Sequence, residues 1–163
     1  MLLPLFMYLG KHMTIIIRPA NYQDVPALTA LTEEMGYRSD IQALADRLTM
    51  LLGSPDLHQL WVAEIGGEVA GWLHAFWRPL LDAPAAVEIG GLAVGLRWRR
   101  HGAGRALVHV AERWALTKGA TTVTLRSAIH QEEAPDFYLR QGYQLSNGQK
   151  TFRKQLQMEQ TAQ

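Results

Sequence analysis

One segment near the middle of the chain constrains the fold more than any other. The apolar run Ala86–Val94 predicts a strand, and a basic, glycine-containing turn at residues 97–105 leads from it into an amphipathic helix. The first N–H groups of a helix have no intrahelical partner, and together with the helix dipole they attract anions such as phosphate. The segment therefore predicts a strand–turn–helix unit with an anion site. The alternative is an ordinary turn whose arginines form a solvated rim.

The composition narrows the classes of protein to which the chain can belong. It has 163 residues, 48% of them hydrophobic, which suits one soluble globular domain and excludes disorder over most of the length. The lack of cysteine excludes disulfides, a thiol nucleophile, iron–sulfur clusters and cysteine zinc sites. The 16 basic and 15 acidic residues nearly cancel, so neither nucleic acid nor an anionic membrane is expected as a partner.

The sequence predicts an N-terminal extension of residues 1–12, a main domain of residues 13–157 and a tail of residues 158–163. The extension is apolar and precedes a second methionine, Met13; an edge strand or a dimer contact is the alternative interpretation. No run reaches the roughly 18 apolar residues that a membrane helix needs, and the start lacks the features of a signal peptide. A cytoplasmic location is the expectation by default.

Hydrophobic periodicity predicts the element order β-α-α-β-β-β-α-β-α-β-β, an α+β (mixed α/β) fold with a central mixed sheet flanked by helices. Gly66 and Gly67 predict a hairpin turn, and Gly90 with Gly91 predict a bulge or the close approach of another molecule. The predicted strands are residues 15–18, His58–Ile65, 68–77, Ala86–Val94, 121–127, 143–145 and 151–156. The predicted helices lie between Asn21 and Gly36, between Ser39 and Gly53, between Arg105 and Gly119, and over residues 135–141.

Two further local patterns concern the start of the second helix and the type of phosphate site. Ser39 with Gln42 resembles a capping box, which predicts the start of the second helix. The phosphate-binding alternatives to a plain helix N-terminus fit poorly. The chain lacks the Gly-Lys-Ser/Thr of a P-loop, and Leu107 stands where a dinucleotide fingerprint has its third glycine.

Several of these features together resemble one family. Arg99-x-x-Gly102-x-Gly104 matches the Gln/Arg-x-x-Gly-x-Gly/Ala motif of the GNAT superfamily of acyl-CoA N-acyltransferases. Residues 134–143 resemble the family's Ala-x-x-Phe/Leu-Tyr-x-x-x-Gly-Phe/Tyr signature, and residues 17–20 resemble its first strand. The likeness extends over residues 14–156, nearly the whole chain.

The resemblance implies acetyl-CoA as co-substrate, no metal, and a site between two splayed parallel strands, residues 88–94 and 121–127. The backbone of Leu92 and Val94 would pair with the pantetheine arm, and the N–H groups of residues 100–105 would hold the pyrophosphate. The family often has Asn where this chain has Gln131, which keeps the amide but is longer. The implied cofactor residues are Leu92, Ala93, Val94, Arg99, Arg100, His101, Gly102, Ala103, Gly104, Arg105 and Gln131.

The implied reaction is attack of an amine on the thioester carbonyl, which needs a group to remove a proton from the amine. Glu88 is the candidate base by its family position; the alternatives are that it binds a cationic substrate or faces solvent. His74 is a second candidate, although a lone strand histidine is more often structural. Tyr138 is the candidate acid that protonates the departing thiolate, or else a packed aromatic. The N–H of Leu92 is the candidate donor to the thioester oxygen.

The expected acceptor is a primary amine of a small molecule that is aminoalkylphosphonate-, aminoglycoside- or polyamine-like. The alternatives are a non-catalytic acyl-CoA-binding module or sensor, and a protein N-terminal or lysine acetyltransferase. A homodimer is implied by resemblance alone. An aromatic-rimmed acidic pocket would suit a cationic amine, although scattered charges are usually a hydrated surface. Its candidate residues are Glu33, Glu34, Tyr37, Asp40, Asp46, Trp72, Trp77, Asp82 and Trp98.

Overall fold

A computed structural model describes residues 5–9, 13–127, 133–146, 148 and 150–156 of the chain. Contacts divide the chain into two units, Met1–Arg126 and Ser127–Gln163. The first unit holds a six-stranded mixed sheet and three α-helices, and the second holds one short α-helix. The predicted mixed α/β fold class is confirmed.

The sheet of the first unit follows chain order from β1 to β6. Its first four pairings are antiparallel, and only β5 and β6 run parallel. Gly66 and Gly67, with φ of +59° and +81°, join β3 to β4, because a two-residue turn of this hand needs positive φ at both positions. The strands are β1 Phe6–Leu9, β2 Thr14–Pro19, β3 His58–Ile65, β4 Glu68–Arg78, β5 Ala86–Val94 and β6 Val123–Leu125.

Two helices, α1 Val25–Glu34 and α2 Ile41–Leu52, follow β2. The predicted capping box at Ser39 is wrong. Asp40 is the N-cap of α2, because its backbone is extended and its carboxylate accepts the N–H groups of Gln42 and Ala43. A carboxylate in this position also complements the positive end of the helix dipole.

The side chains of β3 point alternately to the two faces of the sheet and show what covers each face. Leu60 and Val62 pack into a core cluster with Leu28 of α1 and Leu48 of α2. The intervening Trp61 instead meets Trp114 edge to face, with 6.0 Å between ring centroids. Trp114 belongs to α3 Ala103–Thr117, so α1 and α2 cover one face of the sheet and α3 covers the other.

The N-terminal segment includes an edge strand, because β1 pairs antiparallel with β2 over residues 6–9. This agrees with the edge-strand alternative, while the limits at residues 12, 13, 157 and 158 stay predictions. β6 is shorter than the predicted strand of residues 121–127 and pairs with β5 over three residues only.

The second unit contains α4 Ala134–Leu139, which begins with Pro135 in its first turn as expected. The two strands predicted at residues 143–145 and 151–156 are wrong, since the structure assigns no strand to either segment. A strand needs a paired backbone and a buried face, whereas Leu145, Phe152 and Leu156 are largely exposed.

Candidate active site

The parallel pairing of β5 and β6 ends early and leaves β5 with an open edge. It joins Val87 to Val123 and Ile89 to Leu125, but β5 continues to Val94. Residues 90–94 are therefore unpaired on this side within the described residues, and we call them the open edge. The predicted pair of parallel strands is confirmed, and the opening between them begins after Ile89.

The backbone of the open edge points in the direction that a pairing ligand requires. The carbonyl oxygen of Val94 lies 3.5 Å from Nε of Arg99, at the limit of hydrogen-bonding distance, so it does not point toward β4. Successive residues of a strand direct their backbone groups to opposite sides, so Leu92 points the same way as Val94. Leu92 and Val94 thus direct their backbone groups away from β4, and their pairing with a pantetheine arm stays a prediction.

A bulge in β5 brings two side chains of β4 onto the backbone where the open edge begins. His74 pairs with Gly91 and Ala75 with Ile89, so Gly90 is the extra residue. A Cβ on Gly90 would lie 2.9 Å from Nδ1 of His74, and one on Gly91 would lie 2.8 Å from the indole of Trp72. The predicted bulge is confirmed, and both glycines are needed because side chains already occupy that space.

The turn before α3 has the backbone form of an anion site. Gly102 caps the helix with φ of +98°, and Arg100 has φ of +64°, a region that non-glycine residues seldom adopt. Nδ1 of His101 lies 2.8 Å from the carbonyl oxygen of Arg99, a contact that closes this turn. Such turns direct successive N–H groups into one concavity, which favours an anion such as a phosphate.

The basic side chains around this turn are free to add positive charge. Arg99, Arg100 and Arg105 are all exposed, and within the described residues none of them forms an ion pair. A chain of formal charge +1 thus carries a local excess of positive charge where the helix dipole is also positive. Ala103 is buried and anchors the first turn of α3, while Gly104 is partly exposed beside it.

A cavity of about 350 Å³ lies between α1, α2 and the face formed by β3 and β4; we call it the acceptor cavity. Its interior is apolar, and the charged side chains that line it among the described residues are those of Arg38 and Arg47. His74 and Trp72 also line it, so the cavity reaches the bulge of β5. The described residues that line it are Leu28, Thr32, Tyr37, Arg38, Ser39, Leu44, Arg47, Leu48, Leu51, Leu60, Trp72 and His74.

Among the described residues, no acidic side chain lines the acceptor cavity, which favours the alternative that the candidate acids belong to a hydrated surface. Three of the candidate acids have structural roles elsewhere. Glu34 accepts the N–H of Leu96 at 2.9 Å, Asp40 caps α2, and Asp46 accepts from the side chain of Gln42 at 2.9 Å. Of the aromatic candidates, Tyr37 and Trp72 do line the cavity.

His74 belongs to a histidine pair that the sequence analysis did not identify. Nε2 of His74 lies 3.1 Å from Nδ1 of His58, so one ring nitrogen donates a hydrogen bond and the other accepts it. Burial, and secondarily the nearby His58, lowers the pKa of His74 from its ordinary 6.5 to about 4. His74 is therefore neutral at pH 7. The hairpin turn alone could not have indicated this pair, because a bulge between Ala63 and Glu64 shifts the register by one residue and so makes His58 and His74 diagonal neighbours on one face.

The lowered pKa of His74 predicts how stability depends on pH. Between pH 6.5 and 4 the unfolded chain binds a proton at this residue and the folded chain does not, so stability falls as the pH falls. We expect His74 to remove up to about 3 kcal/mol from the free energy of unfolding across this range. Urea unfolding at a series of pH values measures this loss of stability. His74→Gln is the comparison, because the carboxylates titrate in both proteins and their contribution cancels in the difference. Parallel curves for the two proteins would refute the assignment.

Glu88 is buried, with an exposed fraction of 7%, so the alternative that it faces solvent is wrong. Its Oε1 accepts from Nε and Nη2 of Arg126 at 3.3 and 3.2 Å. Its Oε2 lies 3.3 Å from Nε of Arg78 as an ion pair, although that N–H is not aligned for a hydrogen bond. The carboxylate thus joins the ends of β4 and β6 to β5. Its role as a base stays a prediction, and a substrate ammonium would compete with two guanidinium groups for it.

Tyr138 lies on α4 in the second unit. Its ring meets those of Phe137 and Tyr143 edge to face, with centroid distances of 4.9 and 5.6 Å. Burial raises the pKa of Tyr138 to about 12, so the phenol keeps its proton throughout the neutral range. A neutral phenol is the form that a general acid requires, and its catalytic role stays a prediction. Gln131, the last of the predicted cofactor residues, lies outside the described residues.

Neither a cluster of metal ligands nor a membrane-spanning helix is found in the described part of the chain. No group of three or more His, Asp or Glu side chains there is arranged to hold a metal ion. No helix there is long and apolar enough to span a membrane.

Comparison with known proteins agrees with the fold. The chain is 32% identical over 87 residues to N-acetyltransferase 8 of Rattus norvegicus, a match that covers 52% of this chain and 38% of that protein. Two solved structures share its fold. The aminoglycoside N-acetyltransferase AAC(6')-Iy in complex with CoA has a TM-score of 0.77 at 17% identity, covering 90% of this chain and 98% of that one. The aminoglycoside 6'-N-acetyltransferase AAC(6')-IG of Acinetobacter haemolyticus has a TM-score of 0.74 at 18% identity, covering 86% and 99%. Residues 25–143, more than half of the chain, match the acetyltransferase (GNAT) family. The chain therefore belongs to that family of acetyltransferases.

Proposed function

We propose that the protein transfers the acetyl group of acetyl-CoA directly to a primary amine of a small molecule. The observation that carries this proposal is the junction between the acceptor cavity and the open edge of β5. His74 and Trp72 line the cavity and lie against Gly90 and Gly91, where the open edge begins. An amine in the cavity would thus be next to a thioester held along that edge.

In this proposal the cofactor site uses backbone groups. Leu92 and Val94 pair with the pantetheine arm, and the N–H groups of residues 100–105 bind the pyrophosphate at the start of α3. Arg99, Arg100 and Arg105 add charge from the rim. The N–H of Leu92 donates to the carbonyl oxygen of the thioester, which gains negative charge as the amine attacks.

Transfer forms one C–N bond and breaks one C–S bond, so one proton leaves the amine and one reaches the CoA sulfur. The chain has no cysteine that could carry the acyl group between these steps, which supports direct transfer. The side chain of Tyr138 gives its proton to the departing thiolate. His74 or Glu88 takes the proton of the amine.

The two candidate bases differ in what their surroundings permit. His74 lines the acceptor cavity, is neutral at pH 7, and has His58 within 3.1 Å to receive a proton from it. Glu88 is closed in by Arg78 and Arg126, and it does not line the cavity. The position of His74 at the cavity favours it over Glu88, which would hold the strands around the opening; a pKa of about 4 makes His74 a weak base, so the proton would leave the amine more readily through water.

Release of free CoA tests the proposal most directly. We expect the full chain to consume acetyl-CoA with at least one class in a panel of amino acids, aminoalkylphosphonates, polyamines, aminoglycosides and short peptides. Turnover with any of these overturns the alternative of a non-catalytic acyl-CoA sensor. Turnover with peptides alone would point instead to a protein N-terminal or lysine acetyltransferase. Tight binding of CoA with no turnover on the whole panel would overturn our proposal. A cytoplasmic location and a homodimer stay predictions.

A further inference from the structure

We propose that the acceptor amine also carries an anionic group, a carboxylate or phosphonate, and that Arg38 and Arg47 bind it while the apolar interior of the cavity holds the rest of the molecule. This inference rests on the proposed function and narrows its substrate class. It starts from the lining of the acceptor cavity, which combines an apolar interior with two guanidinium groups and no acid.

The interior of the acceptor cavity suits a compact apolar body. Leu28, Leu48 and Leu60 are buried and form its base, together with the indole of Trp72. A volume of about 350 Å³ is near the lower end for small-molecule sites, enough for a molecule the size of an amino acid. Burying the apolar atoms of such a molecule here would stabilise its complex through the hydrophobic effect.

The charges of the lining favour an anion rather than a second cation. Arg38 and Arg47 are exposed, and neither has an ion pair or hydrogen bond within the described residues. The nearest acids along the chain, Asp40 and Asp46, accept hydrogen bonds from Gln42 and the start of α2. His74 adds no charge at pH 7, because its pKa is lowered to about 4.

Two unpaired guanidinium groups are well suited to a planar or tetrahedral anion. Their N–H groups form a rigid fork that matches the oxygens of a carboxylate or phosphonate. A polyamine or an aminoglycoside would bring several positive charges toward the same two groups, which is unfavourable. Arg38 lies between α1 and α2, and Arg47 lies on α2, next to Leu48 and one turn from Leu44 and Leu51. The anionic group is therefore placed at the helical side of the cavity and the amine at the His74 side.

Matched substrate pairs test this inference. Each pair is an L-amino acid and the amine that lacks its carboxylate: leucine with 3-methylbutylamine, and phenylalanine with 2-phenylethylamine. A third arm, 1-amino-2-phenylethylphosphonate, separates phosphonate from carboxylate recognition. Each amine has its own basicity, so the decisive quantity is the kcat/KM ratio within a pair, compared between wild type and variants, where basicity cancels.

Arg47→Met and Arg38→Met are each expected to lower kcat/KM for the anionic member of a pair about tenfold, through KM, which corresponds to about 1.4 kcal/mol. The decarboxylated partner should keep its value or improve. Arg113→Met is the control, since Arg113 is an exposed arginine of the same unit that stacks on Phe6 and does not line the cavity. An unchanged ratio in both cavity variants, or wild-type preference for spermidine or kanamycin over all anionic amines, would overturn the inference.

The inference and the proposed function fail in different ways. Acetylation of uncharged or cationic amines with unaltered ratios overturns the inference and leaves the function standing. If no amine is acetylated although CoA binds, the function fails, and calorimetric titration of leucine and phenylalanine into the CoA complex still tests the site. Affinity that drops about tenfold in Arg47→Met then supports the anion site, and affinity that does not change refutes it.

Discussion

Replacing Tyr138 by Phe is expected to lower kcat about 10²–10³-fold while the Kd for acetyl-CoA changes less than about twofold. The substitution removes one hydroxyl and keeps the ring, so the edge-to-face contacts with Phe137 and Tyr143 remain. Because burial raises the pKa of Tyr138 to about 12, the phenol holds its proton over the whole neutral range. Steady-state rates and a CoA titration of the same preparation measure the two quantities.

The matched control for this prediction is Tyr22→Phe, which removes a hydroxyl from an exposed tyrosine of the first unit. We expect that variant to keep the activity of the wild type. In the wild type, loss of the Tyr138 proton should cause no fall of kcat below about pH 11, since the folded pKa of about 12 is reached only above it. Equal kcat for Tyr138→Phe and wild type at every pH would remove this hydroxyl from the mechanism.

The second large effect is expected at the start of α3. Gly104→Asp should raise the Kd for CoA at least about 100-fold, equivalent to about 2.7 kcal/mol. The new carboxylate would occupy the space proposed for the pyrophosphate, and its negative charge would repel the pyrophosphate. The fold should survive, since an acidic residue in the first turn of a helix stabilises it by about 0.3–1 kcal/mol. Calorimetry with CoA and thermal unfolding check the two expectations together.

Two comparisons make the Gly104 result specific. Gly104→Ala adds a side chain without charge and should weaken CoA binding far less. S-acetylpantetheine lacks the pyrophosphate, so its affinity should be nearly the same for wild type and Gly104→Asp. Equal CoA affinity in Gly104→Asp and Gly104→Ala would show that the pyrophosphate does not bind at this helix terminus.

Most of the regular structure was predictable because its signals are local. The bounds of β3 and β5 agree with the prediction, since a glycine turn ends one and a basic turn ends the other. Gly66 and Gly67, with positive φ values, set the pairing of Ile65 with Glu68 at the tip of the hairpin, whereas the shift of register after Glu64 was not predicted. The two final strands were predicted wrongly, because residues 143–145 and 151–156 bury little apolar surface and find no strand partner.

The two parts of the candidate site also differ in whether local sequence signals could predict them. The proposed cofactor residues, apart from Gln131, lie in one stretch from Leu92 to Arg105, so a short sequence motif was enough to predict them. The acceptor half depends on residues far apart in the chain. Arg38, Arg47 and His74 line one cavity. Glu88 forms ion pairs with Arg78 and Arg126, which lie at the ends of two other strands. No periodicity in the sequence indicates that folding brings these side chains together.

The sequence by itself determined the strand–turn–helix unit, the hairpin turn, the bulge and the fold class. Each depends on glycine conformation or on hydrophobic spacing within a few residues. Only the tertiary structure decided that the acceptor cavity is cationic, because acids near it in the chain are bound to helix ends and loop N–H groups. It also decided that His74 is neutral at pH 7, since the pKa of a side chain depends on burial and neighbours that folding alone brings together.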